Sequence, residues 1–244
     1  MTPDDLLASL FPKKHAVVAG PHNTLSGTAT LDDDQTVEVL GITGGTPLSP
    51  EIAIQLAGRV LEIINSGSKT PIVFLLDTAS QRMTRRDEML GLNEYLAHLA
   101  KVIVLAGTIG HRTVGILYGT AAAGAFIATA LATQTLITVD GALPSVMDLP
   151  SIARVTKLPL EVLQQKAETT PIFSPGVPAL AATGAVFETW PSDRTDFPER
   201  LKSILTTNDG QTDLRDRLGE KRGGRKVARD IAQRVAMAFS QVDR

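Results

Sequence analysis

Apolar positions follow two different periods along the chain. Ile52, Leu56, Val60 and Ile63 recur at helical spacing behind Ser49-Pro50-Glu51, a capping hydroxyl, a first-turn proline and an acid. This predicts a helix to about Asn65, stopped by Gly67. Ahead of it, Ala16–Ala19, Ser26–Leu31 and Thr36–Ile42 are short β-prone runs, and the turn Asp32-Asp33-Asp34-Gln35 joins the last two as a hairpin. Pro71–Leu76 is apolar without a break, as in a strand buried on both faces, and ends at Asp77. A helix is expected from about Arg85 to Ala106, then a strand over Thr113–Tyr118, a break at Gly119 and a helix over Thr120–Ala132. Leu136–Val139 is another buried strand. Helical segments follow near Ser151–Thr156 and Leu160–Ala167, and Pro171, Pro175, Gly176 and Pro178 mark a loop suited to covering a site or facing a partner. Ala179–Thr183 reads as helix, Ala185–Thr189 as strand, Phe197–Leu205 as helix and Asn208-Asp209-Gly210 as a turn. A last helix carries Val227, Ile231, Val235 and Phe239 on one face.

Repeated strand, crossing loop and helix over 244 residues, 43% of them hydrophobic, predict an α/β fold with a substantial core. The uncharged run Thr113–Val139 is long enough to suggest a membrane span, but Thr and Gln dilute it and the mean hydropathy is only +0.08. No membrane role is expected. A net charge of −2 and 4% aromatic content leave little basis for binding nucleic acid. The absence of cysteine excludes disulfides, thiolate nucleophiles and Cys-ligated metals. The start MTPDDLLASLF lacks the blocks of a signal peptide, so a cytoplasmic location is expected. Asp32–Asp34 has no partner ligands at loop spacing, and no metal is expected. Gly119 and Gly124 have P-loop spacing, but Ala125 and Phe126 stand where Lys and Ser or Thr are required.

Two stretches carry the candidate chemistry. The first is the small-residue loop after the Pro71–Leu76 strand, with Thr78, Ala79, Ser80, Gln81 and Arg82. Loops at the ends of buried parallel strands are where α/β folds hold ligands. The second is Tyr118-Gly119-Thr120-Ala121, where a helix start beside glycine offers unpaired N–H groups to an anion or developing oxyanion. The backbone amides of Ala79, Ser80, Gly119, Thr120 and Ala121 are the catalytic candidates. Thr78, Gln81, Arg82, Tyr118 and Ser145 are candidates for binding substrate or partner. Arg82, Arg85 and Arg86 suit either a solvated helix end or contact with a phosphorylated acyl arm or partner subunit. The basic group Lys221, Arg222, Arg225, Lys226 and Arg229 reads as a solvated face or as a dock for an acidic carrier. His111 reads as structural and His98 as a helix-surface residue.

The segments Leu75–Arg82, Gly115–Phe126, Thr135–Met147 and Ala181–Pro191, in this order and spacing, resemble the crotonase superfamily. Within it the chain is most similar to the carboxyltransferase branch, and there to the gamma subunit of biotin-independent malonate decarboxylase. The resemblance covers about Lys13 to Leu205 and implies a crotonase-like stacked ββα superhelix with surrounding helices. It sets residues 13–205 as the domain, 1–12 as a lead-in and 206–244 as a basic amphipathic helical tail. It further implies decarboxylation of a malonyl thioester on an acyl carrier protein through an oxyanion-stabilised enolate. In that branch the site lies between two homologous domains, so a homologous beta subunit is the implied partner. The chain itself is expected to hold no cofactor; the phosphopantetheine arm belongs to the carrier. Clp-type proteases of the superfamily carry Ser where this chain has Ala123, so that nucleophile is absent, as are the paired glutamates of the hydratases. The proton donor stays open among Ser80, Tyr118 and Ser145. A biotin-dependent carboxyltransferase half and a noncatalytic structural subunit are the alternatives.

Overall fold

The structure is a computed structural model that describes residues 1–31, 34–169, 176–206 and 213–242. The first two residues of the Asp32–Gln35 turn, most of the Pro171–Pro178 loop and the Asn208–Gly210 turn lie outside the described residues. Along the chain come α1 (Pro3–Leu10), β1 (Lys14–His15), β2 (Val18–Ala19), β3 (Thr24–Thr30), β4 (Thr36–Ile42), α2 (Pro50–Asn65) and β5 (Ile72–Leu76). They are followed by α3 (Arg85–Met89), α4 (Leu92–Thr108), β6 (Thr113–Leu117), β7 (Thr120–Ala122), α5 (Ala123–Ala128), β8 (Thr135–Val139) and β9 (Leu143–Ser145). The remainder is α6 (Leu149–Thr156), α7 (Leu160–Thr169), α8 (Val177–Ala182), β10 (Glu188–Trp190), α9 (Phe197–Thr206), α10 (Arg215–Lys221) and α11 (Ala228–Val242). The chain divides into two compact units, residues 1–146 with 188–212, and residues 147–187 with 213–244.

The first unit is built on a sheet ordered β1-β3-β4-β5-β6-β8-β10, with β2 also on β3. The expected hairpin is β3 against β4, antiparallel from Thr24↔Ile42 to Thr30↔Thr36. From β4 onward all pairs are parallel. The loops after β4, β5 and β6 therefore leave the sheet at the same end, which is where the candidate residues sit. Every residue of β5, β6 and β8 is buried, as the unbroken apolar runs require.

Helix α2 begins as read from sequence. Ser49 Oγ accepts the Ile52 N–H at 3.3 Å and Pro50 fills the first position. Its buried face of Ile52, Leu56, Val60 and Ile63 packs beside α4. The single helix expected over Arg85–Ala106 is two, because Gly91 takes a left-handed φ of 80° between α3 and α4. The N-terminal residues belong to the core of this unit: α1 is closed by a Thr2/Asp5 capping box and buries Leu6, Leu7 and Leu10, with Phe11 behind them, against α9. At the far edge of the sheet, Trp190 is fully buried, 5.2 Å centroid to centroid from Phe197.

In the second unit α8 and α10 approach closely. A side chain at Gly219 would meet the Thr183 carbonyl oxygen at 2.4 Å, so only glycine fits there. Arg222 donates to the carbonyls of Ala181, Val186 and Phe187, and Arg225 Nε donates to that of Thr183 at 2.8 Å. Arg229 pairs with Glu220 at 3.2 Å. Of the five basic residues, Arg222 and Arg225 thus tie the tail to residues 181–187, and Arg229 pairs within the tail. On α11 and just before it, Val227, Ile231, Val235 and Phe239 are all more than half exposed.

Candidate functional site

The site is built from the ends of β5 and β6. The expected helix over Thr120–Ala132 is a correction: Thr120–Ala122 is the strand β7, paired in parallel with β9, and helix starts only at Ala123. Alanine-rich composition favours helix, but here long-range hydrogen bonds hold the backbone extended. Thr120 N–H donates to Asp77 Oδ1 at 2.9 Å, Ala122 N–H to the Ala79 carbonyl at 3.2 Å and Gly124 N–H to Gln81 Oε1 at 2.8 Å. In return, Thr78 N–H donates to the Thr120 carbonyl at 2.7 Å and Thr120 Oγ1 to the Thr78 carbonyl at 3.1 Å. The turn into α5 is made at Ala123, whose φ of 50° is left-handed and unfavourable for a residue with a Cβ.

Two of the five amide candidates are committed elsewhere. Thr120 N–H is held by Asp77, and Ala121 lies inside the β7–β9 ladder opposite Pro144. The N–H groups of Ala79, Ser80 and Gly119 make no hydrogen bond among the described residues. All three residues are partly accessible. They sit at the C-terminal ends of neighbouring parallel strands, since Leu76 pairs with Leu117.

The crossing loop is also anchored on its other side. Leu48 N–H donates to the Ser80 carbonyl at 3.1 Å, Arg82 N–H to the Leu48 carbonyl at 2.8 Å and Thr78 Oγ1 to the Thr46 carbonyl at 2.7 Å. Ser80 Oγ turns to the Gln81 carbonyl at 3.1 Å. Asp77, which the sequence reading treated only as the end of a strand, is the residue that joins three loops. Its Oδ2 accepts Gly45 N–H at 3.0 Å while Oδ1 takes Thr120. An acid directly after a fully apolar strand was the available signal. Gly119 is glycine for the same reason, because a Cβ there would lie 2.1 Å from Asp77 Oδ1.

Arg82 does not extend into open solvent. Its Nε donates to Asp87 Oδ2 at 2.5 Å and its Nη2 to Glu51 Oε2 at 3.0 Å, with Arg86 completing the cluster 2.6 Å from Glu51. The loop end is thereby tied to the starts of α2 and α3. The Arg82 guanidinium holds the carboxyl of Asp87, which is shut off from solvent, down to about 2. Glu51 is likewise lowered to about 2, first by its own backbone N–H, then by Ser49 and Arg86. Folded values below the usual carboxylate range stabilise the fold above the unfolded values, and that stabilisation is lost as pH falls through the folded ones. Thermal melts taken between pH 6 and pH 2 are therefore expected to show Tm falling below about pH 4, with Asp87→Asn flattening the fall.

Tyr118 is 6% exposed, and its hydroxyl is buried without a hydrogen-bond partner among the described residues. Burial, with the nearby Asp77 and Asp4 carboxylates, pushes its ionisation well up, so it is a neutral phenol. An unsatisfied buried hydroxyl is destabilising, and Tyr118→Phe is expected to raise the unfolding free energy by about 1 kcal/mol, read by chemical denaturation. Ser145 is drawn in by the β7–β9 ladder, opposite Ala122. His111 is buried with Nδ1 2.9 Å from the Thr70 carbonyl, a structural setting as expected. No helix among the described residues is long and apolar enough to cross a membrane.

This architecture is shared with known proteins. The chain is 22% identical to a chain of a Pseudomonas malonate decarboxylase hetero-tetramer solved with coenzyme A, over 97% of both chains, with a TM-score of 0.77. It is 23% identical to a chain of the Pseudomonas MdcD–MdcE malonate decarboxylase hetero-dimer, over 96% of this chain and 97% of that one, with a TM-score of 0.72. At these identities the likeness establishes the fold, an α/β crotonase-like architecture as expected. A curated relative, the malonyl-S-ACP:biotin-protein carboxyltransferase MADD of Malonomonas rubra, is 26% identical over 171 residues, 65% of this chain and 59% of the relative. The match thus leaves about two fifths of that relative's length uncovered. The model of one family, the malonate decarboxylase gamma subunit, matches residues 45–239, which span α2, both site loops and most of α11. By that match across most of its length, the chain belongs to the malonate decarboxylase gamma subunit family.

Proposed function

We propose that this chain works with a homologous beta subunit in the cytoplasm to decarboxylate a malonyl thioester carried on the phosphopantetheine arm of an acyl carrier protein. The observation that supports this most is the set of unpaired N–H groups on Ala79, Ser80 and Gly119, held by a framework in which the neighbouring amides are already bonded. Breaking the bond between the carboxylate carbon and the methylene releases carbon dioxide and leaves the electron pair on the methylene, delocalised onto the thioester oxygen. Each preorganised amide directed at that oxygen stabilises it by on the order of 3 kcal/mol. A proton delivered to the methylene then completes the acetyl thioester. Ser80, Tyr118 and Ser145 are the candidate donors. Thr78, Gln81 and Arg82 serve as anchors of the loop.

A second reading, transfer of the carboxyl group to biotin, is favoured by the name of the Malonomonas rubra relative. Both begin with the same enolate. The test is carbon dioxide release from a malonyl thioester by the chain alone and by the chain co-purified with its beta subunit, with and without biotin. Release by the complex only, and without biotin, is expected. Turnover that requires biotin would move the assignment to the carboxyltransferase, and a complex inert under both conditions would overturn both readings.

A further inference from the structure

We infer that Asp77 and Gln81 are positioning residues that clamp the two amide-bearing loops at either end, with Gln81 acting through its side-chain oxygen. This rests on the function proposed above. Between residues 77–81 and 120–124 the backbones are joined at alternate positions, but only the middle links are between main-chain atoms. At one end the acceptor is Asp77 Oδ1, taking Thr120 N–H at 2.9 Å. At the other it is Gln81 Oε1, taking Gly124 N–H at 2.8 Å. The unpaired Gly119 N–H lies just before the first rung and those of Ala79 and Ser80 lie between the two. Loss of either end frees one loop to shift against the other, and a displacement of about 1 Å is enough to lower a rate on the order of 100-fold.

The chemistry of the two residues suits these places. Asp77 needs two acceptor oxygens, because Gly45 N–H lies on Oδ2 while Thr120 lies on Oδ1. An asparagine would turn a donor toward one of them. The two backbone N–H dipoles aimed at its carboxylate also offset part of the field that its negative charge would set against a developing enolate. Gln81 needs only one acceptor, and a neutral amide supplies it without adding charge beside the site.

The test uses the assembled complex. Gln81→Met keeps the length and packing of the side chain but removes the acceptor, whereas Gln81→Glu keeps the acceptor. We expect Gln81→Met to lower kcat about tenfold or more while KM for the malonyl thioester stays within about twofold, and Gln81→Glu, which keeps the acceptor but adds a charge, to be faster than Gln81→Met and slower than wild type. Asp77→Asn is expected to show the same split. If Gln81→Met instead retains full kcat, or Met preserves activity where Glu does not, the side chain acts through packing and the inference is overturned. A wild-type complex that releases no carbon dioxide overturns the proposed function, and this inference with it.

Discussion

Replacing Gly119 with alanine is expected to leave the complex assembled and to slow carbon dioxide release by about 100-fold or more, the scale of losing one oxyanion donor. The added Cβ would lie 2.1 Å from Asp77 Oδ1 and 2.7 Å from Asp77 Cβ, distances no real contact reaches. Asp77 cannot simply rotate away, because its two oxygens hold Gly45 and Thr120. The strain therefore moves the Gly119 N–H itself, along with the link between the loops. Assays of the purified complex, with size-exclusion chromatography to establish assembly, read both quantities. Wild-type turnover in an intact complex would mean that this amide has no catalytic part.

The largest expected loss of stability lies at the other edge of the sheet. Trp190→Ala is expected to destabilise the fold by about 3–5 kcal/mol, measured by denaturant unfolding, out of the roughly 5–15 kcal/mol that domains of ordinary stability possess. Trp190 is fully buried, stacks obliquely on Phe197 and lies 5.7 Å beneath the Arg194 guanidinium. Its Nε1 donates to Glu188 Oε2 at 3.0 Å, and Glu188 also pairs with Arg200. Removing the indole opens a large cavity and takes one donor from that carboxylate. Trp190→Phe, which keeps a ring against Phe197 and loses the N–H, is expected to lie between alanine and wild type.

What could be read in the sequence was what neighbouring residues decide together. The hairpin of β3 and β4, the capped start of α2 and the buried strand β5 follow from local periodicity, capping and turn residues. The break between α3 and α4 at Gly91 escaped because the helical pattern continues on both sides of it. The rest of what escaped was set by partners far away along the chain. Thr120–Ala122 is extended because Asp77 and Ala79, some forty residues earlier, take its N–H groups, and an alanine-rich stretch carries no trace of that. Arg82 and Arg86 look unfavourable at a helix start until Glu51, from the preceding helix, is placed beside them. The two candidate loops were thus singled out by their small residues and their position after buried strands, while the residues that hold them, Asp77 above all, emerged only from the tertiary structure.

In the proposed reaction a malonyl thioester loses carbon dioxide to give an enolate whose carbon is then protonated. The direct measurement is the mass of the acetyl thioester formed by the chain and its beta subunit in deuterium oxide, with carbon dioxide quantified in parallel. One deuterium in the methyl group and one carbon dioxide released per turnover, both without biotin, are expected. Stoichiometric acetyl thioester with the carboxyl group retained on an acceptor would contradict the proposed reaction.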